Sequence, residues 1–274
     1  MSFIRFVMLI IALTFVSCKK ELIERLNFKK AALHYDLVIE GGVNTFTKEQ
    51  FIRLSRPSLH VAGNASAIND AEVFINNIKL TLTATPGIYT GTLQENKNYG
   101  DVYHLKVVCK GIIYKAEDTL KKVSPITLTH LDFYGRQDDG EIRLSVPKHI
   151  FSSIEPGKLF YHFSGKSDWD ASKLDSTQTY SYAHTFAPPH GLYPILEQRS
   201  NRTTNPADSI KIYKFSVSNS YEKYLYSVFV ETDWKSIFST TPGQIKGNIS
   251  GNALGYFYCT DVIFKKFAAS DLEK

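Results

Sequence analysis

Cys18 carries the most reactive side chain near the start of this 274-residue chain, and its neighbours indicate what the thiol is for. Arg5 supplies positive charge, Phe6 to Val16 (FVMLIIALTFV) form an unbroken apolar or neutral run, and Ser17 places a small side chain directly before the sulfur. That layout predicts a secretory signal over residues 1–17. As a helix the run would rise only about 16 Å, roughly half of a ~30 Å hydrocarbon core, so cleavage is expected rather than a permanent span. A thiol at the new N-terminus is a site for acyl chains. Several chains, at about 0.8 kcal/mol per buried CH₂, hold a protein to a membrane far better than one.

The tetrapeptide Phe15-Val16-Ser17-Cys18 resembles a bacterial lipobox, in which the cysteine receives a diacylglyceryl group, a peptidase cuts before it, and the new amine is acylated. Phe15 stands where Leu is usual. The alternative is a plain secretory signal with an incidental cysteine.

A second concentration of chemically useful side chains lies between Ser164 and Pro206, where hydrophobic periodicity breaks down. Trp169, Tyr180, Tyr182, His184 and Tyr193 are candidate ligand or partner contacts, because such rings stack on sugars or fill a partner's pockets when exposed. The competing reading is that they pin a long loop to its own sheet. Elsewhere the chemistry thins out. No GxSxG, HExxH, Walker A or GxGxxG pattern occurs, so no catalytic residue is expected. His104 and His162 sit in strand patterns and read as packed or surface residues. Asp138-Asp139-Gly140-Glu141 lacks the spacing of a calcium loop and reads as a solvated hairpin tip. Cys109 and Cys259 occupy apolar runs without CxxC or Cys/His spacing; they read as small buried hydrophobes, with a bridge between them the alternative. Neither a metal nor a cofactor is expected. Asp118-Thr119-Leu120, Asp175-Ser176-Thr177 and Asp208-Ser209-Ile210 resemble a short O-glycosylation sequon of Bacteroidota envelope proteins.

The elements that must position these groups are mostly strands. Sixteen Tyr and 18 Phe favour sheet over helix, and 43% hydrophobic with 22% charged residues are globular values. Of the 32 Lys and Arg only Arg5 lies in the signal, and no polybasic block accompanies the small basic excess, which argues against nucleic-acid binding. Residues 18–35 read as a tether. From 36 to 123, about seven short strands predict an immunoglobulin-like or transthyretin-like β-sandwich, with tight turns at Asn76-Asn77 and Lys110-Gly111 and a turn pair at Pro86-Gly87. Ser124-Pro125 marks a boundary, since proline pushes its predecessor to extended geometry. Residues 124–274 read as a second β-rich domain with strands at Ile126–Phe133, Ile142–Val146 and Leu159–Phe163, and one concealed at Thr179–Phe186. One amphipathic helix is expected near 219–232, where Asn219 caps, Glu222 completes a capping box, and Tyr221, Tyr224, Leu225, Val228 and Phe229 share a face. A long final strand is expected over Leu254–Phe264.

Along most of the chain after the signal, these pieces resemble the Bacteroidota lipoproteins classed as domain-of-unknown-function family 4249. Leu37-Val38-Ile39-Glu40-Gly41, Ala71-Glu72-Val73, Pro86-Gly87-Ile88-Tyr89, Tyr103-His104-Leu105 and Ile113-Tyr114-Lys115-Ala116 carry the early part. The specific signal is the tail: Tyr221-Glu222-Lys223-Tyr224, then Ile245-Lys246-Gly247-Asn248-Ile249, then Leu254-Gly255-Tyr256-Phe257. The resemblance implies an outer-membrane accessory lipoprotein encoded beside a TonB-dependent transporter, a non-enzymatic binding partner in nutrient uptake. The alternative is a structural or adhesive envelope protein. Lys19-Lys20-Glu21 departs from the acidic residues that often follow the cysteine in surface-exported lipoproteins of this lineage, so either face of the outer membrane is left open.

Overall fold

Alternation of buried and exposed positions, as in Glu141–Pro147 with Ile142, Leu144 and Val146 inward, is what turns most of this sequence into sheet. The computed structural model describes residues 35–58, 65–93, 98–126, 136–138, 140–151, 155–174, 178–185, 198–232 and 245–272. The expected signal, Cys18 and nearly all of the tether lie outside them. The described strands are β1 (Leu37–Asn44), β2 (Glu49–Ser55), β3 (Glu72–Ile75), β4 (Ile78–Leu82), β5 (Ile88–Thr92), β6 (Val102–Cys109), β7 (Ile112–Thr119), β8 (Arg136–Asp138), β9 (Glu141–Pro147), β10 (His149–Ile150), β11 (Gly157–His162), β12 (Ser181–Ala183), β13 (Arg199–Thr204), β14 (Ser209–Ser216), β15 (Ala253–Thr260) and β16 (Val262–Ala268). Helix α1 (Asn219–Thr232) lies between β14 and β15. The protein is therefore mainly β with one described α-helix, as expected. Among the described residues no helix is long and apolar enough to cross a membrane.

Eight strands form the first sheet in the order β15-β1-β2-β5-β4-β3-β6-β7. The anticipated turns are in place: Asn76 has φ 53°, Gly87 φ 77°, and Lys110-Gly111 φ 51° and 78°. Leu37, Ile39, Ile52, Leu54, Val73, Leu105 and Phe257 fill its core. A second sheet runs β10-β12-β11-β14-β16, and a third, β13-β9-β8, shares its core through Ile142, Leu144, Leu159, Ile210 and Ile212.

Two expectations need correction. The cut at Ser124-Pro125 separates β1–β7 from the later strands, but β15 returns from the C-terminal part and pairs in parallel with β1 over its whole length. Cys109 and Cys259, assigned by that cut to different domains, consequently share one core, where both are free thiols. The long final strand is also two strands. Asp261 breaks it: its carboxylate accepts bonds from Thr45 Oγ1 (2.6 Å) and the Val123 amide (3.0 Å), while its own amide donates to Ser216 Oγ (2.8 Å). One buried residue thus moves the chain from the first sheet to the second. Of the expected strand at Ile126–Phe133, residues beyond Ile126 lie outside the described set, and the concealed strand at Thr179–Phe186 is limited to Ser181–Ala183.

The helix matches its expected span, though not its expected cap. Ser218 performs that role: the Tyr221 amide donates to Ser218 Oγ (3.0 Å) and the Glu222 amide to the Ser218 carbonyl (2.9 Å). Glu222 makes no capping box with Asn219; its carboxylate accepts from Thr185 instead. Asn219 accepts from Lys121. Tyr221 stacks on Tyr256 of β15 at 4.8 Å and Tyr224 lies tilted against the same ring at 4.7 Å, so the helix packs on the strand that links the sheets.

Candidate functional site

Where β11 passes between β12 and β14, and β13 pairs with β9, the side chains enclose a cleft of about 470 Å³. Phe160 and Tyr161 of β11, with Phe163 just beyond it, supply aromatic surface. Val146 and Pro147 of β9 add an aliphatic wall, and Tyr180 and Ser181 close another side. Arg199, Ser200 and Arg202 enter from β13, while Lys166, Asp168 and Lys173 come from the loop after β11. The size is that of a small-molecule site, and the mixture of rings with a few charged groups is what such sites use.

Asp168 is already engaged. It accepts from Lys211 Nζ (2.5 Å) and Tyr213 OH (2.8 Å), with His162 Nδ1 at 3.5 Å. Burial raises its pKa, but these hydrogen bonds and the charges of His162 and Lys211 more than offset that, leaving it below the ordinary 3.8. Tyr213 is pushed up, first by burial and then by the bond and charge of Asp168.

The aromatic candidates divide between this cleft and the interior. Tyr180 lines the cleft and is only 3% exposed. Trp169 is half-buried behind it, donating Nε1–H to Tyr180 OH (3.0 Å) and setting its ring against Phe215 at 5.1 Å. Tyr182 is half-buried and stacks on His149 at 5.7 Å. His184 is buried; its Nε2 lies 3.0 Å from His149 Nδ1, and its ring packs on Phe229 of α1 at 5.4 Å. Burial, then the charge of His149, lowers the His184 pKa to about 3. Tyr193 and Cys18 lie outside the described residues. The structure therefore brings Trp169 and Tyr180 together, and sets Tyr182 and His184 in an internal ring cluster rather than on the cleft.

Two buried polar residues brace the surrounding elements; sequence reasoning passed over Lys158 and read Asp118 only within a sequon-like triplet. Lys158 of β11 is 1% exposed, with its ammonium 4.7 Å from the ring centres of Tyr180 and Tyr258 and 5.3 Å from that of Tyr221. It also donates to Tyr221 OH (3.3 Å), so one cation ties together the cleft wall, β15 and α1. Asp118, at the end of β7, accepts from the Cys259 amide (2.8 Å) and Ser220 Oγ (3.2 Å). Burial raises its pKa, against the lowering effect of these bonds. The cage has no local sequence signal, since it draws on residues from 158 to 258.

The sequon-like triplets are placed by the same contacts. Asp118 and Leu120 are buried with Thr119 half-buried, Asp208 and Ser209 are half-buried with Ile210 in the core, and Asp175-Ser176-Thr177 lies outside the described residues. His104 is exposed beside Glu117 at 3.5 Å. Asp138 pairs with Glu141 across the β8–β9 hairpin, where Gly140 has φ 83°. No family model and no curated protein matches the chain.

Proposed function

We propose that this chain is a lipid-anchored protein of the cell envelope, a non-enzymatic binding partner that works beside a TonB-dependent outer-membrane transporter in nutrient uptake. The observation that carries the reading is the apolar run Phe6–Val16 ending on Ser17-Cys18, nineteen residues before the first strand begins at Leu37. A cysteine so placed, once acylated, anchors the folded part by a short tether. The cleft beside β11 supports the binding role, because it offers concave, ring-lined surface. Resemblance of the Gly247-Asn248-Ile249 and Gly255-Tyr256-Phe257 tail to transporter-associated lipoproteins supports the partner.

Cross-linking in intact cells followed by purification from detergent-solubilised outer membrane tests the proposal. A TonB-dependent transporter recovered with the wild-type chain, and lost with Cys18→Ala, is the expected result. Recovery of the wild-type chain free of any transporter would overturn the partnership, and unchanged membrane retention of Cys18→Ala would overturn the anchor.

A further inference from the structure

The charges around the cleft are lopsided. Lys166, Lys173 and Arg202 stand exposed along it, and Lys148 and Arg199 are half-buried in its lining. Asp168 is the one carboxylate among the described lining residues, and it is bound to Lys211 and Tyr213. A concave site lined by one sign of charge focuses the field and raises the local concentration of the opposite sign. The same lining holds the rings of Phe160, Tyr161 and Tyr180, an apolar surface that an inorganic ion would leave unused.

Resting on the binding role proposed above, we infer that the cleft recognises a small organic anion: a carboxylate or related oxyanion borne on a ring or comparably flat apolar frame. The rings take the frame. Arg202 and Lys173 take the anion, Arg202 through a planar fork suited to two oxygens at once and Lys173 as a point charge. Trp169 lies outside the cleft but is hydrogen-bonded to Tyr180, so occupation alters the surroundings of its indole.

Calorimetric titration of the full-length mature protein in non-ionic detergent separates the two requirements. The probes are 2-naphthoate, its uncharged isostere 2-naphthamide, and acetate, which keeps the carboxylate and drops the frame. Naphthoate should bind at least about tenfold more tightly than either of the others, and raising the salt should weaken it. Lys173→Ala combined with Arg202→Ala should lower naphthoate affinity by about tenfold or more while leaving the thermal midpoint unchanged, since both side chains are exposed. Equal affinity for naphthoate and naphthamide, wild-type affinity in the double variant, or no heat from naphthoate at millimolar concentration would each overturn the inference. None of those results touches membrane retention or transporter recovery, so failure here and failure of the envelope role are told apart.

Discussion

Two buried titratable side chains pull stability in opposite directions with pH. Asp118 holds its proton more tightly folded than unfolded, because burial disfavours the carboxylate. Folding therefore takes up protons, and the contribution of Asp118 is fully present below the ordinary 3.8 and lost as pH rises through the raised folded value. For His184 the sign is reversed. Its folded pKa is about 3 against an ordinary 6.5, so its contribution is present above 6.5 and lost as pH falls toward 3, a loss on the order of 4 kcal/mol. Asp118→Asn keeps an oxygen for the Cys259 amide and should abolish the decline on raising pH. His184→Phe keeps a ring against Phe229 and should flatten the acid-side loss. Urea midpoints measured between about pH 3 and pH 7 for wild type and both variants check the pair; parallel curves for all three would contradict both assignments. Neither residue announces this in the sequence. Asp118 reads there as part of a sequon and His184 as a ligand contact, because burial depends on strands more than a hundred residues apart and on α1.

At the level of elements, the ends of the first sheet are joined by residues 245–250 rather than by a strand. Asn248 donates through Nδ2 to the carbonyls of Phe257 (2.7 Å) and Glu117 (2.9 Å) and accepts the Phe257 amide (2.9 Å), bridging β15 to β7. Ser250 and Lys115 exchange a further pair of bonds. Backbone crowds here: a Cβ on Gly247 would sit 1.7 Å from the Gly255 carbonyl oxygen, and one on Gly255 would sit 1.9 Å from that of Ile39. Gly255 also has φ 103°, where side chains are rarely accommodated. Gly255→Ala should cost roughly 3 kcal/mol or more, and Asn248→Ala about 2–3 kcal/mol, both read from denaturant unfolding. Ser218→Ala should cost about 1 kcal/mol by uncapping α1. The hairpins at Asn76 and Lys110-Gly111 and the span of α1 were legible because turn chemistry and 3.6-residue periodicity are local signals. The pairing of β15 with β1, and the bend at Asp261, were not. A strand's sequence says that it will pair, not with which partner, and an aspartate in an apolar run does not disclose that Thr45 and Val123 will meet it.

For the whole molecule, eight strands closed by their own C-terminal segment make one support, and the smaller sheets beside it carry the cleft. Lys158 joins these parts through Tyr180, Tyr221 and Tyr258, so the cleft wall is held by the same cation that holds α1 and β15. Among the described residues that line the cleft, Tyr180 alone is a contact expected from the sequence, with Trp169 hydrogen-bonded to it from outside. Tyr180 and its neighbour Trp169 stand out in an irregular stretch rich in rings. Arg199 and Arg202 do not, because they reach the cleft only through the pairing of β13 with β9, some fifty residues earlier in the chain. The chemistry that would give this fold its address rests on the sulfur of Cys18. Mass spectrometry of the N-terminal peptide from the membrane fraction tests that most directly. A chain beginning at Cys18, with diacylglyceryl on its sulfur and an acylated amine, is the expected species; an unmodified peptide running from Phe15 through Lys20 would contradict it.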